Sequence, residues 1–375
     1  MVKSKGSRAK STPGKATLKF SIGLGGPLAP LLQRALRAEE LGFDFLWVPD
    51  HLTDILPATS IYDAWTVLAY IGARTERVML GSGVTDIQRM HPAKTASTVV
   101  SLDNLTGGRA ILGIGAGEVM NTAPYGIEWE PTKTRLSRLR EYIEVVQLLW
   151  SSSYDRQVGY DGKFYNFKEA HLGLPPFREP RPPVYIGAFS SNSMLEIAGE
   201  LADGWYPGAY FSRREFKEKV RIIHDATSRA GRKPGSVDLM ANVPVVFGDD
   251  NETMSIVRSE FKRSLVINRY MLKLLGEEAA YEVVSKTLLY QLIAPTPAYG
   301  KLLDKMVREL PVSDEALDEG IAEMMAVGTT AEIVEKLARF TKAGATHIHV
   351  SSFANTDETL ETFAKKVMPV LRAEG

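Results

Sequence analysis

The chain has 375 residues, 44% of them apolar, with 45 Lys+Arg against 45 Asp+Glu and no cysteine. That is enough apolar material for one large core, while the balanced charge offers no net field for nucleic acid or an anionic membrane surface. The lack of cysteine excludes disulfides, thiolate nucleophiles, iron–sulfur clusters and zinc–thiolate sites and fits a cytoplasmic location, and no apolar run approaches the roughly 18 residues that span a bilayer.

Residues 1–16 are basic and polar and are followed by no signal-like apolar segment; they read as a flexible tail ahead of a single domain over 17–375. From there short β-rich runs alternate with helical patterns. Strands are predicted over 20–24, 45–48, 78–81, 110–114, 184–187, 204–207, 238–247 and 347–351. Apolar residues at three- and four-residue spacing predict helices over 28–41, 63–73, 92–105 and 136–150. Strand followed by helix, repeated about eight times, implies parallel strands joined by right-handed crossovers. An eight-stranded α/β barrel is the natural closure, and a doubly wound open sheet is the other. The Gly- and Pro-rich stretch 154–183 reads as a loop with a short hairpin around 160–167. Residues 249–328, with helical patterns over 254–275, 277–292 and 298–310, read as a helical insertion before the last strand. Its apolar faces, at 266–275, 281–292 and Met324-Met325, are expected to wall a pocket for an apolar small-molecule substrate or to pack as core.

The most informative segment is Arg109-Ala-Ile-Leu-Gly-Ile-Gly-Ala-Gly-Glu118-Val-Met-Asn121, where an apolar run breaks into glycines and then presents a carboxylate. Gly113, Gly115 and Gly117 read as close backbone contacts to a flat or phosphorylated ligand, and Glu118 as a proton carrier. A Rossmann fingerprint fits poorly, because Glu118 occupies its last glycine position. Three other strands also end in polar or glycine-rich residues: Asp50-His51, Gly81-Ser82-Gly83-Val84-Thr85-Asp86, and Gly187-Ala188-Phe189-Ser190-Ser191-Asn192. In a barrel these ends converge on one rim and share a pocket. His91 precedes Pro92 at a helix start and reads as structural. His347 and His349 alternate along the last strand, so that at most one face points inward, and no metal site is expected.

The runs Phe45-Leu46-Trp47-Val48-Pro49-Asp50-His51-Leu52, Leu80 to Asp86, His91-Pro92-Ala93, Leu105 to Ala110, Leu112 to Glu118 and Tyr125-Gly126-Ile127-Glu128-Trp129, with Gly328-Thr329-Thr330, resemble the luciferase-like monooxygenase superfamily. Within it they are similar to the branch that uses the deazaflavin coenzyme F-420: phthiodiolone ketoreductase-like proteins, F-420-dependent glucose-6-phosphate dehydrogenases and methylenetetrahydromethanopterin reductases. The resemblance implies a TIM barrel of the bacterial luciferase-like type, homodimeric assembly and hydride transfer between the deazaflavin and a carbonyl, alcohol or C=N substrate. It implies that His51 and Glu118 are catalytic. Asp50, Gly83, Val84, Thr85, Gly117, Asn121, Ala188, Phe189, Ser190 and Ser191 would bind the coenzyme, with a non-proline cis peptide at Gly83-Val84. His51 or Glu118 would supply the proton exchange, and Glu118, if buried beside Met120 and Trp47, would be suited to act as the acid.

The chain departs from the sugar-phosphate dehydrogenases at Ile55, where they carry tryptophan. It departs from the methanopterin reductases in its first strand, which has no acid, and at Glu118, where they carry aspartate. The alternatives are a monooxygenase using flavin mononucleotide (FMN), a methylenetetrahydromethanopterin reductase-type enzyme and a catalytically silent cofactor-binding protein.

Overall fold

The computed structural model describes residues 17–54, 60–189, 191–286, 296–351 and 357–374. The expected tail, Ile55, Ser190 and much of the helix expected over 277–292 lie outside them. Twelve strands occur among the described residues: β1 (Lys19–Gly23), β2 (Phe45–Val48), β3 (Met79–Ser82), β4 (Thr85–Asp86), β5 (Ala110–Gly115), β6 (Val158–Asp161), β7 (Asn166–Ala170), β8 (Val184–Ala188), β9 (Gly204–Pro207), β10 (Asp238–Phe247), β11 (Ala326–Gly328) and β12 (His347–Ser351). Eight of them form a ring in the order β1-β2-β3-β5-β8-β9-β10-β12, every pair parallel, with β12 returning to β1. The pairing of Asp238 with Gly204 and Leu239 with Trp205 closes the ring, which makes the fold a TIM barrel rather than an open sheet.

The predicted strands are recovered to within a residue or so at each end. All of β2 and β5 is buried because one face looks into the barrel and the other onto helices. Leu46, Leu80, Leu112 and Ile186 pack outward against the helices, while Phe45, Trp47, Ile111, Tyr185 and Met240 fill the inside. The Trp47 indole takes the space where a Cβ on Gly81 would stand, 2.4 Å away. At the amino-terminal end of the strands, Asp238 receives Tyr185 Oη at 2.5 Å, Lys19 Nζ at 3.0 Å and His347 Nδ1 at 3.2 Å. Burial alone would raise this carboxyl, but His347, Lys19 and Thr346 together hold it well below the usual carboxylate range.

The hairpin of the long loop is β6–β7. The insertion between β10 and β12 contains helices Asn251–Ile267, Tyr270–Leu274, Glu278–Ser285, Pro297–Glu309 and Asp314–Met324. The first starts where Asp250 accepts from the backbone of Glu252 and Thr253. The continuous helix expected over 254–275 is interrupted at Asn268-Arg269. The insertion, expected to be almost entirely helical, also ends in a short strand: β11 runs parallel to the end of β10. Of the two readings of the insertion's apolar faces, the described residues follow packing as core. Val266, Met271, Leu272, Met324 and Met325 are at most 1% exposed in a second core with Phe261, Leu303 and Ile321, so they give no support to an apolar substrate. Among the described residues no helix is long and apolar enough to cross a membrane.

Candidate active site

The carboxyl ends of β2, β3, β5, β8 and β9 surround a cleft of about 540 Å³, within the usual range for small-molecule sites. Asp50, His51, Gly83, Val84, Thr85, Gly117, Glu118, Asn121, Ala188, Phe189 and Ser191 all line it, so the four strand ends do share one pocket.

Asp50 follows β2 and is 7% exposed. Thr85 Oγ1 donates to its Oδ2 at 2.7 Å, and Arg89 lies 3.3 Å from the same oxygen while also binding Asp86. Burial pushes the Asp50 carboxyl above its ordinary range, against the pull of Arg89 and Thr85. Burial also opposes the Arg89 charge, but the two carboxylates overcome it and hold the guanidinium protonated.

The Gly83–Val84 peptide is cis, at the position the resemblance implied. The Val84 side chain lies over the ends of β5 and β8. A Cβ on Gly115 would stand 3.1 Å from it and one on Gly187 2.7 Å, so those glycines make its seat. Gly113 has a different role from the ligand contact expected of it. Its Cβ would stand 1.8 Å from the Ser82 carbonyl oxygen, and it is absent from the cleft wall; here glycine permits β3 and β5 to pack. Gly117 does border the cleft, with φ of +93°.

His51 Nε2 and Glu118 Oε2 are 3.5 Å apart. The condition of burial beside Met120 and Trp47 is not met by Glu118: its side chain is 56% exposed, and Trp47 lies inside the barrel. Asn121 is 2% exposed, with Oδ1 accepting from the backbone of Leu52 at 2.7 Å and of Thr53 at 3.3 Å. Its Nδ2 donates to Glu118 Oε2 at 3.2 Å, so Asn121 ties the segment after His51 to Glu118 as well as facing the cleft. Ser191 caps the helix Asn192–Leu201, which has no acidic residue in its first turn. Phe189 packs against Phe211 and against Tyr270 of the insertion.

Several cleft residues were not anticipated. Thr132 and Arg135 come from the start of the helix Thr132–Trp150, Tyr206 from β9 and Asn268 from the break in the insertion. Tyr206 was within reach of the strand-end argument, which stopped one strand short of it; Arg89, Arg135 and Asn268 carry no local signal. His91 is structural as read, its Nδ1 accepting from Ala93 N at 3.2 Å. His347 and His349 both point into the barrel, because residues two apart on a strand share a face; the reading that separated them was mistaken. His347 binds Asp238, and His349 Nδ1 meets Ser21 Oγ at 2.9 Å. Among the described residues no group of three or more His, Cys, Asp or Glu is arranged to hold a metal.

A dimycocerosate ketoreductase acting on phthiodiolone and phenolphthiodiolone, from Mycobacterium sp. strain JLS, is 32% identical over 276 residues, 67% of this chain and 71% of its own. The F-420-dependent glucose-6-phosphate dehydrogenase of Microbacterium testaceum is 30% identical over 347 residues, 91% of this chain and 93% of its own. A solved F-420-dependent secondary alcohol dehydrogenase, in complex with an F-420–acetone adduct, shares the fold with a TM-score of 0.75 at 20% identity, over 95% of this chain and 99% of that one. With the family model for luciferase-like monooxygenases matching residues 8–347, the chain belongs to the luciferase-like monooxygenase family.

Proposed function

We propose that this protein is an F-420-dependent oxidoreductase that moves a hydride between the deazaflavin and the carbon of a carbonyl or alcohol, or of a C=N bond, with His51 and Glu118 exchanging the accompanying proton. The observation that carries the reading is the His51–Glu118 pair, 3.5 Å apart at the wall of the cleft. The relatives named for F-420 support the cofactor.

The cleft fits such a group. Its floor is the Gly83–Val84 peptide, with the Val84 side chain seated on Gly115 and Gly187, which suits a flat ring, and the start of the helix Asn192–Leu201 offers backbone N–H groups to a phosphate. Asp50, Gly83, Val84, Thr85, Gly117, Asn121, Ala188, Phe189, Ser190 and Ser191 would hold it. When bound, the deazaflavin supplies a two-electron hydride carrier that behaves like a nicotinamide and lacks the nitrogen that forms oxygen adducts.

The residues of the chain supply the proton chemistry. His51 lines the cleft, and its imidazole can both donate and accept a proton, so it is suited to give or take the proton of the substrate oxygen. Glu118 Oε2 stands where the proton on His51 Nε2 is handed on, and its exposure connects the pair to solvent. Asn121 keeps the two together from both sides. A cytoplasmic location and a homodimer belong to the same reading, the first resting on the absence of cysteine and the second on the family resemblance.

Calorimetric titration of purified, cofactor-free protein with coenzyme F-420 and, separately, with FMN tests the proposal. Preferential binding of F-420 is the expected result. Preference for FMN would move the protein to the oxygen-activating part of the family and remove the roles given to His51 and Glu118.

A further inference from the structure

Tyr206 lies next to the end of β9, directly across the barrel ring from β2, which carries His51. Its ring is wedged between Trp47, at 5.0 Å between centroids, and His349, at 5.7 Å. This fixes where the phenol points. The hydroxyl oxygen lies 3.2 Å from the position a Cβ on Gly83 would take, so it abuts the cis bulge on the cleft floor.

No described residue shares a hydrogen bond with this hydroxyl. The fully buried Tyr185 and Tyr142, by contrast, are satisfied within the protein: Tyr185 donates to Asp238 at 2.5 Å and Tyr142 to the Met90 carbonyl at 3.1 Å. Tyr206 is half-buried on the cleft wall, so a hydroxyl without a protein partner there is a donor left for whatever occupies the cleft. Burial also raises the Tyr206 phenol well above its ordinary range, so it stays a donor at every working pH.

We infer that the Tyr206 hydroxyl is a binding group for the flat heterocycle of the cofactor, donating a hydrogen bond to an acceptor at the edge of the ring system. The inference rests on the proposed use of F-420 and adds a contact that neither the sequence nor the family motifs supplied. The placement argues for the ring rather than the substrate. The hydroxyl abuts Gly83, one of the residues given to the coenzyme, and the proton-exchanging pair His51 and Glu118 is engaged with itself and with Asn121 instead. Because the phenol is held by packing inside the barrel, little freedom is lost when the bond forms.

The test is Tyr206→Phe, compared with the wild type for F-420 affinity by calorimetry and for melting temperature without ligand. The hydroxyl supports nothing in the protein, so the melting temperature should not change while the affinity for F-420 falls about five- to tenfold. Unchanged affinity in the variant, with the wild type binding normally, would overturn the inference and leave the proposed function standing. A parallel loss of melting temperature and affinity would overturn it too, since the hydroxyl would then be serving the fold. If the wild type itself takes up no F-420, the proposed function fails first, and this contact with it.

Discussion

His349 offers a stability measurement whose size follows directly from its surroundings. It is 4% exposed inside the barrel, bonded to Ser21 and beside His347 and Tyr206. Burial, reinforced by His347, pushes its pKa down from about 6.5 in the unfolded chain to about 3 in the folded one. Between those values the unfolded chain binds a proton that the folded protein does not, so stability is complete above about pH 6.5 and declines as pH falls toward 3. The slope is about 1.4 kcal/mol per pH unit, which gives a loss of about 2 kcal/mol on going from pH 7 to pH 5. Asp238 does not interfere. Its carboxyl is depressed in the folded state, so its contribution is present above the ordinary aspartate range and is lost only as the pH drops through and below that range. Denaturant unfolding of the wild type and of His349→Gln at pH 7 and pH 5 reads the difference, with other titrating groups cancelling between the two proteins. The wild type should lose about 2 kcal/mol more than the variant. Parallel losses would mean that the imidazole is free to take up a proton in the folded barrel, and the burial argument would be wrong.

Glu118→Gln and His51→Ala should each lower kcat by about a hundredfold or more, with F-420 affinity changed by no more than about threefold. A collapse of affinity instead would make the affected residue a coenzyme ligand rather than a proton carrier. Arg89→Met leaves Asp50 and Asp86 without their buried cation and should cost about 3–5 kcal/mol in denaturant unfolding; a loss under about 1 kcal/mol would show that Thr85 and protonation suffice. Gly113→Ala drives a methyl group to within 1.8 Å of the Ser82 carbonyl oxygen and should abolish soluble folded protein, whereas Gly25→Ala, with nothing within 4 Å, should be silent. Equal yields of the two would refute the packing role given to Gly113.

The barrel strands were readable because burial on both faces of a parallel strand leaves an unbroken apolar run, as in Phe45–Val48 and Ala110–Gly115. The cleft was readable where polar residues follow such runs directly, as at Asp50-His51 and Gly117-Glu118, because parallel strands put all those ends on one rim. Strands β4 and β11, with two and three residues, are too short to carry a period and were missed. The exposure of Glu118 is not legible locally for another reason: whether a carboxylate is covered depends on what the rest of the chain brings over it.

Local order along the chain therefore determined the element sequence, the parallel α/β class and the strand ends that make the pocket, since each depends on neighbours a few residues apart. Tertiary structure alone decided the rest. Closure required Asp238 to find Gly204, and the clamp required Asn121 to reach the backbone of Leu52 and Thr53. Arg89 reached Asp50, and Tyr206 reached the bulge at Gly83 from the far side of the barrel. The apolar faces of the insertion chose each other over the cleft. Hydrophobic burial and hydrogen bonding at these places act between residues far apart in sequence, and their partners exist only once the ring has closed.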